Sequence, residues 1–364
     1  MALKVLHTES SMNMGGQELR ILAEMEGLRS RGIVSVLAAR PGSGIIREAR
    51  ARGLKAYAIN MRGSFDPFAV AAFIRMMLRE KVDVVNAHGS KDGWSAGTAA
   101  RILGIRVIRS RHVANPIRAH FFGRLAYTAL CDRIVTTGES IKQAMAERGV
   151  PAGKITSVPT GVDTKRFHPG VEKGALRKEL GVPEGAPLVG MVSVLRGDKG
   201  PDVFLKAAEA VLDRRRDVFF ALVGDGWMRG RLEEYLSKSR HNRNIFMTGY
   251  RRDIPEVMAD LDVLALPAKA AEGVPQVILQ AHAMKVPVAA SDVGGITEVA
   301  VDGKTALTTP PGDHGALADA MLRLIEDKTL AARLAEEGHR LVTERYTLEG
   351  MLDRMEAVYK SDAP

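Results

Sequence analysis

Residues 4–38 read KVLHTESSMNMGGQELRILAEMEGLRSRGIVSVLA, which is an apolar run, a helix-length amphipathic segment and a second apolar run. The two runs, at 4–7 and 34–38, are short and rich in aliphatic residues, which is typical of buried strands. Further predicted strands follow at 56–59, 83–87, 106–110 and 133–136. Strands that alternate with helices in this way predict a parallel sheet with helices on both faces.

The pattern changes after Val158-Pro159-Thr160-Gly161, where a charged stretch rich in proline and glycine is interpreted as a linker over 166–187. A second series of predicted strands follows at 188–194, 218–223, 244–247, 263–266, 288–290 and 306–308. The predicted fold is therefore α/β, with two tandem Rossmann-like doubly wound domains over 1–165 and 188–347. A helix pattern over 348–364 is a candidate to pack back on the first domain. Since such sheets bind ligands at the carboxyl ends of their strands, we expect the site in a cleft where two domains face each other.

Cysteine usage and hydropathy bear on the cellular compartment. Cys131 is the one cysteine of the 364 residues, and the first residues pass into a strand pattern rather than a signal peptide. No run approaches the roughly 18 apolar residues that span a bilayer. We therefore expect a cytoplasmic protein whose membrane contact, if any, is peripheral and at the inner face of the cytoplasmic membrane.

The net charge of +9 is concentrated in residues 1–165. Residues 93–131 contain no acidic residue, and their arginines are Arg101, Arg106, Arg109, Arg111, Arg118 and Arg124. Such a stretch fits an anionic partner, namely an acidic saccharide, a lipid phosphate or an anionic membrane, or else it is a solvated basic face. Nucleic acid is disfavoured because no binding motif or aromatic platform accompanies the arginines.

Two turns between a predicted strand and a helix carry features that suit phosphate. Gly15-Gly16 opens the first predicted helix, and paired glycines let backbone N–H groups approach a ligand, although a tight turn alone would also need them. Arg196 and Lys199 lie beside the start of another helix. Two cations and a helix dipole could neutralise a departing diphosphate without a metal ion, or they could be ordinary surface charges.

The richest segment runs from Glu272 to Glu298. Glu272 precedes a predicted helix and Gln280 lies on it, so that both side chains are candidates to bind sugar hydroxyls. Gly294-Gly295 then forms a second glycine turn that leads into Glu298.

This segment resembles the E-G-x-P-x-x-x-x-E-A-M-A and S-D-x-G-G-x-x-E motifs of glycosyltransferase family 4, which has the GT-B fold and retaining chemistry. The resemblance covers nearly the whole chain. Supporting matches are Gly15-Gly16, Thr160-Gly161-Val162-Asp163 with Phe167 and Pro169, Lys199-Gly200 and Gly224-Asp225-Gly226. It implies that the first domain binds the acceptor and the second binds a UDP-, GDP- or ADP-sugar, with no metal and no other cofactor.

Site residues are carried over from the same resemblance. It implies that Glu272 contacts the donor sugar, Lys199 the diphosphate, and Glu298 with the Gly294-Gly295 backbone the nucleotide. The turn at 249–251 resembles the base-binding loop. The donor-site prediction comprises Gly16, Gly224, Arg251, Gln280, Gly294, Gly295 and Glu298.

The sequence departs from the family at two positions. Gln280 stands where the family usually has a glutamate that grips the ribose, so that charge-assisted hydrogen bonds, about twice as strong as neutral ones, are lost there. Val194 stands where many members have the diphosphate arginine, and Arg196 is the predicted replacement. The predicted catalytic residues are Glu272, Lys199, Arg196 and His112.

Acceptor-side candidates come from the first domain. His88 and His112 each follow a predicted strand, and His112 is similar to a histidine of the relatives that lies in the cleft; an isolated histidine is otherwise more often a core or surface residue. Arg111 and Arg118 complete the acceptor-side prediction. Residues 113–130 form a candidate basic amphipathic helix, which suggests contact with an anionic membrane and a lipid-linked acceptor.

The predicted function is retaining transfer of a hexose-type sugar to a glycan or lipid-linked acceptor, in the synthesis of lipopolysaccharide or other envelope polysaccharide. No pair of carboxylates placed as in retaining glycosidases is evident. The resemblance to family 4 implies another route, in which the departing phosphate accepts the acceptor's proton on the same face. The alternatives are a sugar-nucleotide-binding protein with little activity and a GT-B sugar-nucleotide epimerase. A nicotinamide-dependent oxidoreductase is disfavoured because its third fingerprint glycine is missing.

Overall fold

The computed structural model describes residues 2–64, 66–112, 121–270 and 272–361, with the backbone alone for 121–124. Its contacts divide the chain into two compact units. The first unit is Met1–Thr160 together with Glu349–Pro364, and the second unit is Gly161–Leu348. Among the described residues, no helix has both the length and the apolar character needed to cross a bilayer.

The first unit contains a seven-stranded sheet with helices between successive strands. Its strands are β1 Leu3–Glu9, β2 Ile33–Ala39, β3 Ala56–Ala58, β4 Val84–Ala87, β5 Arg106–Arg111, β6 Arg133–Thr136 and β7 Ile155–Ser157. Its helices are α1 Gly16–Arg29, α2 Gly44–Ala51, α3 Pro67–Glu80, α4 Ser90–Ile102, α5 Phe121–Thr128 and α6 Glu139–Ala146. The strand order is β3-β2-β1-β4-β5-β6-β7 and every pair is parallel. The order reverses direction between β1 and β4, which makes their carboxyl ends the switch point of this sheet.

The second unit is built on the same plan around a six-stranded sheet. Its strands are β8 Leu188–Val192, β9 Phe219–Val223, β10 Ile245–Gly249, β11 Val263–Leu266, β12 Val288–Ser291 and β13 Leu307–Thr309. Its helices are α7 Ala175–Leu180, α8 Pro201–Arg214, α9 Arg229–Ser237, α10 Ile254–Asp260, α11 Gln276–Ala283, α12 His314–Glu326 and α13 Lys328–Arg345. The order β10-β9-β8-β11-β12-β13 is again fully parallel. The switch point of this sheet therefore lies between β8 and β11.

The two parallel sheets confirm the predicted doubly wound α/β architecture, and each of the twelve predicted strands is present with ends shifted by at most two residues. The strand β7 was not predicted, although it has the same length as the predicted strands β3 and β13. The stretch 166–187 contains the helix α7, and its apolar side chains Phe167, Leu176 and Val182 are buried in the core of the second unit.

The last helix, α14 Leu348–Lys360, belongs to the first unit from Glu349 onward. Tyr359 of this helix is buried, and its hydroxyl donates to Glu24 and accepts from Asn86, both at 2.5 Å. Arg31, which lies two residues after the end of α1, binds three carboxylates of α14. Leu352 packs so closely on α1 that a side chain at Gly27 would collide with it.

Candidate functional site

The loops that follow β8 and β11 meet at the switch point of the second unit. The Lys269 N–H donates to the Asp198 carbonyl oxygen at 2.8 Å, which ties the two loops together. Gly200 has φ +71°, and a Cβ atom there would lie 2.0 Å from the Pro267 carbonyl oxygen. Only glycine therefore allows the first loop to approach the second and to turn into α8.

This junction brings Lys199 and Glu272 together, although 73 residues separate them in the chain. The Lys199 ammonium lies 2.5 Å from Glu272 Oε2, and the two side chains are 21% and 14% exposed. Glu272 Oε1 is buried and has no hydrogen-bond partner among the described residues. A carboxylate oxygen in this state is available to accept a hydrogen bond from a ligand hydroxyl, which removes the cost of leaving it unpaired.

The turn after β12 completes the same edge of the sheet. The Gly295 N–H donates to the Glu272 carbonyl oxygen at 2.8 Å, and a Cβ at Gly295 would lie within 3.0 Å of the backbone of Gly273 and Val274. This turn is a short 3-10 helix, Gly294–Glu298, which ends at the half-buried Glu298. The structure therefore places Glu272, Lys199, Gly294, Gly295 and Glu298 on adjoining loops.

The N-termini of two helices add partial positive charge at this edge of the sheet. In each strand-to-helix connection the helix begins at the carboxyl end of the parallel strands, so α8 and α11 both start beside the Lys199–Glu272 pair. Helix N-termini carry partial positive charge and unpaired N–H groups, which favour an anion such as a diphosphate. Gln280 lies half-buried in the second turn of α11.

Two predicted cations of the second unit are engaged elsewhere. The Arg251 guanidinium binds Glu179 and Asp253, and hydrogen bonds to these carboxylates raise its pKa above the usual range. Arg196 binds Asp198 at 3.0 Å, with side chains that are 44% and 43% exposed. The structure therefore brings neither guanidinium into contact with Lys199 or Glu272.

The loop after β9 is pressed against the end of β8. Gly224 has φ +137°, and a Cβ there would lie 1.8 Å from the Ser193 carbonyl oxygen. The Gly224 N–H also donates to the Gly249 carbonyl oxygen at 2.9 Å, which links this loop to the predicted base-binding turn. Two exposed aromatic side chains, Trp227 and Tyr250, follow on these neighbouring loops. Sequence reasoning did not select Trp227, since exposure cannot be read from its immediate neighbours in the chain.

In the first unit, Gly16 begins α1 and its neighbour Gly15 is the N-cap residue. The Glu18 carboxylate accepts from the Gly15 N–H at 2.8 Å, so this glycine turn is closed by the helix's own capping interaction. Glu18 lies near Glu9 and Asp92 at the carboxyl ends of β1 and β4. Burial and the two neighbouring carboxylates raise the pKa of Glu9 to about 8.

Three histidines form a hydrogen-bonded row at the switch point of the first unit. His88 lies between His7 and His112, at nitrogen-to-nitrogen distances of 3.1 and 2.9 Å. His7 was not among the predicted site residues; it is buried, and it hydrogen-bonds to the predicted site residue His88. The feature that could have indicated this is its position near the end of a strand, which His88 and His112 share.

Much of the basic stretch is engaged within the first unit. Arg101 binds Asp132, Arg106 binds backbone carbonyls of α14, and the buried Arg109 donates to two carbonyl oxygens and stacks on Tyr127. The Arg111 guanidinium donates to the Tyr127 hydroxyl at 2.7 Å. Arg118 and residues 113–120 of the predicted amphipathic helix lie outside the described residues, and α5 accounts for 121–128.

The histidine row is not arranged as a metal site. Among the residues that the structure describes, no group of three or more His, Cys, Asp or Glu side chains is placed to hold a metal ion.

Comparisons with known proteins bear on the family and the fold. The family model "Glycosyltransferase Family 4" matches residues 14–166, and "Glycosyl transferases group 1" matches residues 172–341. The chain is 32% identical over 286 residues to 2-deoxystreptamine glucosyltransferase of Streptomyces kanamyceticus, covering 71% of this chain and 72% of that protein. It is 26% identical over 279 residues to UDP-Gal:alpha-D-GlcNAc-diphosphoundecaprenol alpha-1,3-galactosyltransferase of Escherichia coli, covering 73% and 72%.

Among solved structures, Anabaena HepE in complex with UDP and glucose aligns with a TM-score of 0.85 at 20% identity, covering 99% of this chain and 100% of that one. At this identity the likeness establishes the fold alone, and it confirms the GT-B class. The two family models and the Streptomyces relative show that this chain is a glycosyltransferase and belongs to family 4, the group 1 glycosyltransferases.

Proposed function

We propose that this glycosyltransferase takes a hexose-type sugar from a nucleotide diphosphate-sugar, with retention of the anomeric configuration and without a metal ion. The observation that carries the proposal is the Lys199–Glu272 pair, in which one carboxylate oxygen is bound to the ammonium and the other is buried without a partner. A lysine suits a diphosphate, and a carboxylate suits sugar hydroxyls. The pair therefore has the two functions that a donor site needs.

In the proposed mechanism, Lys199 and the helix starts of α8 and α11 stabilise the negative charge that develops on the departing diphosphate. Glu272 accepts hydrogen bonds from the donor sugar and holds the anomeric carbon toward the acceptor. The acceptor hydroxyl forms the new C–O bond on the face from which the C–O bond to phosphate breaks, and its proton passes to the departing phosphate oxygen. Charge and protons balance without a further cofactor.

A glycan or lipid-linked acceptor of envelope polysaccharide or lipopolysaccharide synthesis is proposed for the second substrate. The name of the Escherichia coli relative includes a sugar linked to diphosphoundecaprenol, whereas the name of the Streptomyces relative includes 2-deoxystreptamine. The net charge of +9 favours the anionic, lipid-linked class. We also propose that the enzyme is cytoplasmic and contacts the membrane peripherally. Flotation of the full chain with vesicles of anionic lipid tests this, and absence of binding at low salt would contradict it.

A thermal-shift panel of UDP, GDP, ADP and their common sugars, with and without EDTA, tests the donor site. We expect one nucleotide family to raise the melting temperature and the shift to survive EDTA. With Glu272→Gln, the nucleotide diphosphate should still stabilise the protein, while the additional shift caused by the sugar should shrink. If no nucleotide stabilises the protein, the donor proposal is wrong.

Gln280 favours a second candidate, a protein that binds the nucleotide-sugar but transfers it slowly. It stands where the family usually has a charged carboxylate, and a neutral amide makes weaker hydrogen bonds to ribose hydroxyls. Gln280→Glu distinguishes the two: a gain of tenfold or more in turnover would support the weak enzyme, and an unchanged rate would support the efficient one.

A further inference from the structure

The histidine row of the first unit is set by the order of its strands. His7 lies on β1, and His88 and His112 directly follow β4 and β5, which are the next two strands of the sheet. Their rings overlap, with centroids 5.4 Å apart for His7 and His88 and 5.2 Å apart for His88 and His112. His7 and His88 are buried, whereas His112 is half-buried at the end of the row.

The surroundings keep the row uncharged. Burial lowers the pKa of His7 to about 3. Burial, the two neighbouring imidazoles and the Arg20 cation lower the pKa of His88 well below the usual range, and burial and Arg20 do the same for His112. Among the described residues, the titratable groups that act on Arg20 are Glu24, Arg354 and the Tyr359 hydroxyl, which donates to Glu24. Tyr359 also meets the His7 ring edge-on.

Proton counting leaves two arrangements. Each neutral imidazole has one N–H and one bare nitrogen, so each contact in the row has one donor and one acceptor, and the whole row must run in one direction. If the protons point toward His7, then His7 Nε2 carries an N–H that is buried without a partner. If they point toward His112, then His7 Nε2 is a bare nitrogen. Buried N–H groups without an acceptor are the rarer case, which favours the second direction.

We propose that His7 and His88 are positioning residues that hold His112 in the neutral Nδ1–H tautomer, so that His112 offers a hydrogen-bond donor to a sugar hydroxyl. Its Nε2 atom accepts from His88 Nδ1 at 2.9 Å. Among the described residues, no group hydrogen-bonds to His112 Nδ1, which leaves this N–H for a ligand. The contact to sugar rests on the proposed function, whereas the tautomer does not.

This assignment has a chemical consequence. A neutral Nδ1–H donor orients a hydroxyl and cannot accept its proton, so His112 does not act as a general base. The proton of the acceptor hydroxyl then passes to the departing phosphate oxygen, as in the proposed mechanism.

Two other histidines provide internal references for a measurement of the tautomer. His282 Nε2 faces the Val299 carbonyl oxygen at 3.1 Å, so His282 must carry its proton on Nε2. His339 Nδ1 faces the Ala283 carbonyl oxygen at 2.8 Å, so His339 must carry a proton on Nδ1. Both acceptors are carbonyls, which cannot donate.

The test uses the full chain with 15N-labelled histidine and long-range 1H–15N correlation, with His112→Asn to assign the His112 signals. We expect His112 to show protonated Nδ1 and bare Nε2, the opposite of His282, with no titration between pH 5.5 and 8. An Nε2–H pattern like that of His282, or titration near pH 6.5, would overturn the proposal. In His7→Phe the row loses the donor that sets its direction, and the His112 signals should change to a mixture of tautomers; an unchanged pattern would show that His7 has no positioning role. If that variant does not fold, the wild-type spectrum still decides the tautomer.

Kinetics separate the donor role from the tautomer. His112→Asn keeps an N–H near the Nδ1 position, so we expect it to retain kcat/KM within about threefold, while His112→Phe loses about tenfold, the value of one neutral hydrogen bond. Equal losses in the two variants would overturn the donor role. Because the spectra need no substrate, failure of the proposed function would leave the tautomer result standing.

Discussion

Replacement of Lys199 by alanine tests the proposed donor site most directly. The Lys199 ammonium binds Glu272 at 2.5 Å in the resting protein, and in the proposed mechanism it meets charge that appears on the diphosphate only as the sugar departs. The substitution therefore removes an interaction that strengthens in the transition state, which should lower kcat rather than nucleotide affinity.

The expected magnitude follows from the type of interaction. A hydrogen bond to a charged group contributes about 1.5–3 kcal/mol, and each 1.36 kcal/mol corresponds to a tenfold change in rate. Lys199→Ala should therefore lower kcat by roughly 10- to 150-fold. The affinity for the nucleotide diphosphate should change by less than about threefold, because the helix starts and the backbone N–H groups at the binding edge remain.

The assay is release of the nucleotide diphosphate from the donor that the thermal-shift panel identifies, with calorimetry for the affinity of the nucleotide alone. Lys269→Ala is the matched control, because Lys269 lies on the adjoining loop and binds Asp202 in a pair whose side chains are each 36% exposed. We expect its kcat to stay within about twofold. Equal losses of kcat and nucleotide affinity in Lys199→Ala would refute the proposed role, and an equal effect of Lys269→Ala would attribute the loss to the loops.

Three further predictions concern stability. Gly200→Ala should lower the free energy of unfolding, measured by thermal unfolding, by roughly 2–5 kcal/mol, because φ at this position is positive and a Cβ atom would collide with a carbonyl oxygen. The control is Gly230→Ala, which lies in open space on a helix and should be neutral or stabilising by about 0.5–1 kcal/mol. Tyr359→Phe should lower the free energy of unfolding in urea by about 2–3 kcal/mol, because two buried partners each lose a hydrogen bond. The control is the exposed Tyr235→Phe, which should change it by less than about 0.5 kcal/mol, and equal effects of the two variants would contradict the buried network. Glu9 has a pKa of about 8 in the folded protein, so it keeps a proton that the unfolded chain releases above about pH 4.5. The free energy of unfolding should therefore fall as the pH rises from 5 to 8, and the urea midpoints of Glu9→Gln should lack that decline.

Local patterns were sufficient for the elements of this fold. Buried parallel strands are continuous apolar runs, which are visible between helical segments without knowledge of their neighbours. This is why twelve strands were predicted; β7 was not, although it is as long as β3 and β13. Proline and glycine correctly marked turns within 166–187, but the burial of Phe167, Leu176 and Val182 depends on residues far along the chain.

The candidate site could be predicted only in part. Motifs selected Glu272 and Lys199, and the structure places them in contact. The same reasoning selected Arg196 as the diphosphate arginine and Arg251 as part of the base-binding turn, and in the structure each is bound to nearby carboxylates. Which carboxylate an arginine binds depends on distances in the folded structure, and the residue types alone do not specify those distances.

The sequence by itself determined the order of strands and helices, the two sheets and the family, because periodicity, glycine turns and motif spacing are local properties. The tertiary structure decided which residues meet: Lys199 with Glu272, and His7 with His88 and His112. Sheet order brings together side chains that lie tens of residues apart. The direction of the hydrogen bonds in the histidine row follows from the burial of His7 Nε2 without a partner. This direction gives His112 an N–H group that can donate to a ligand.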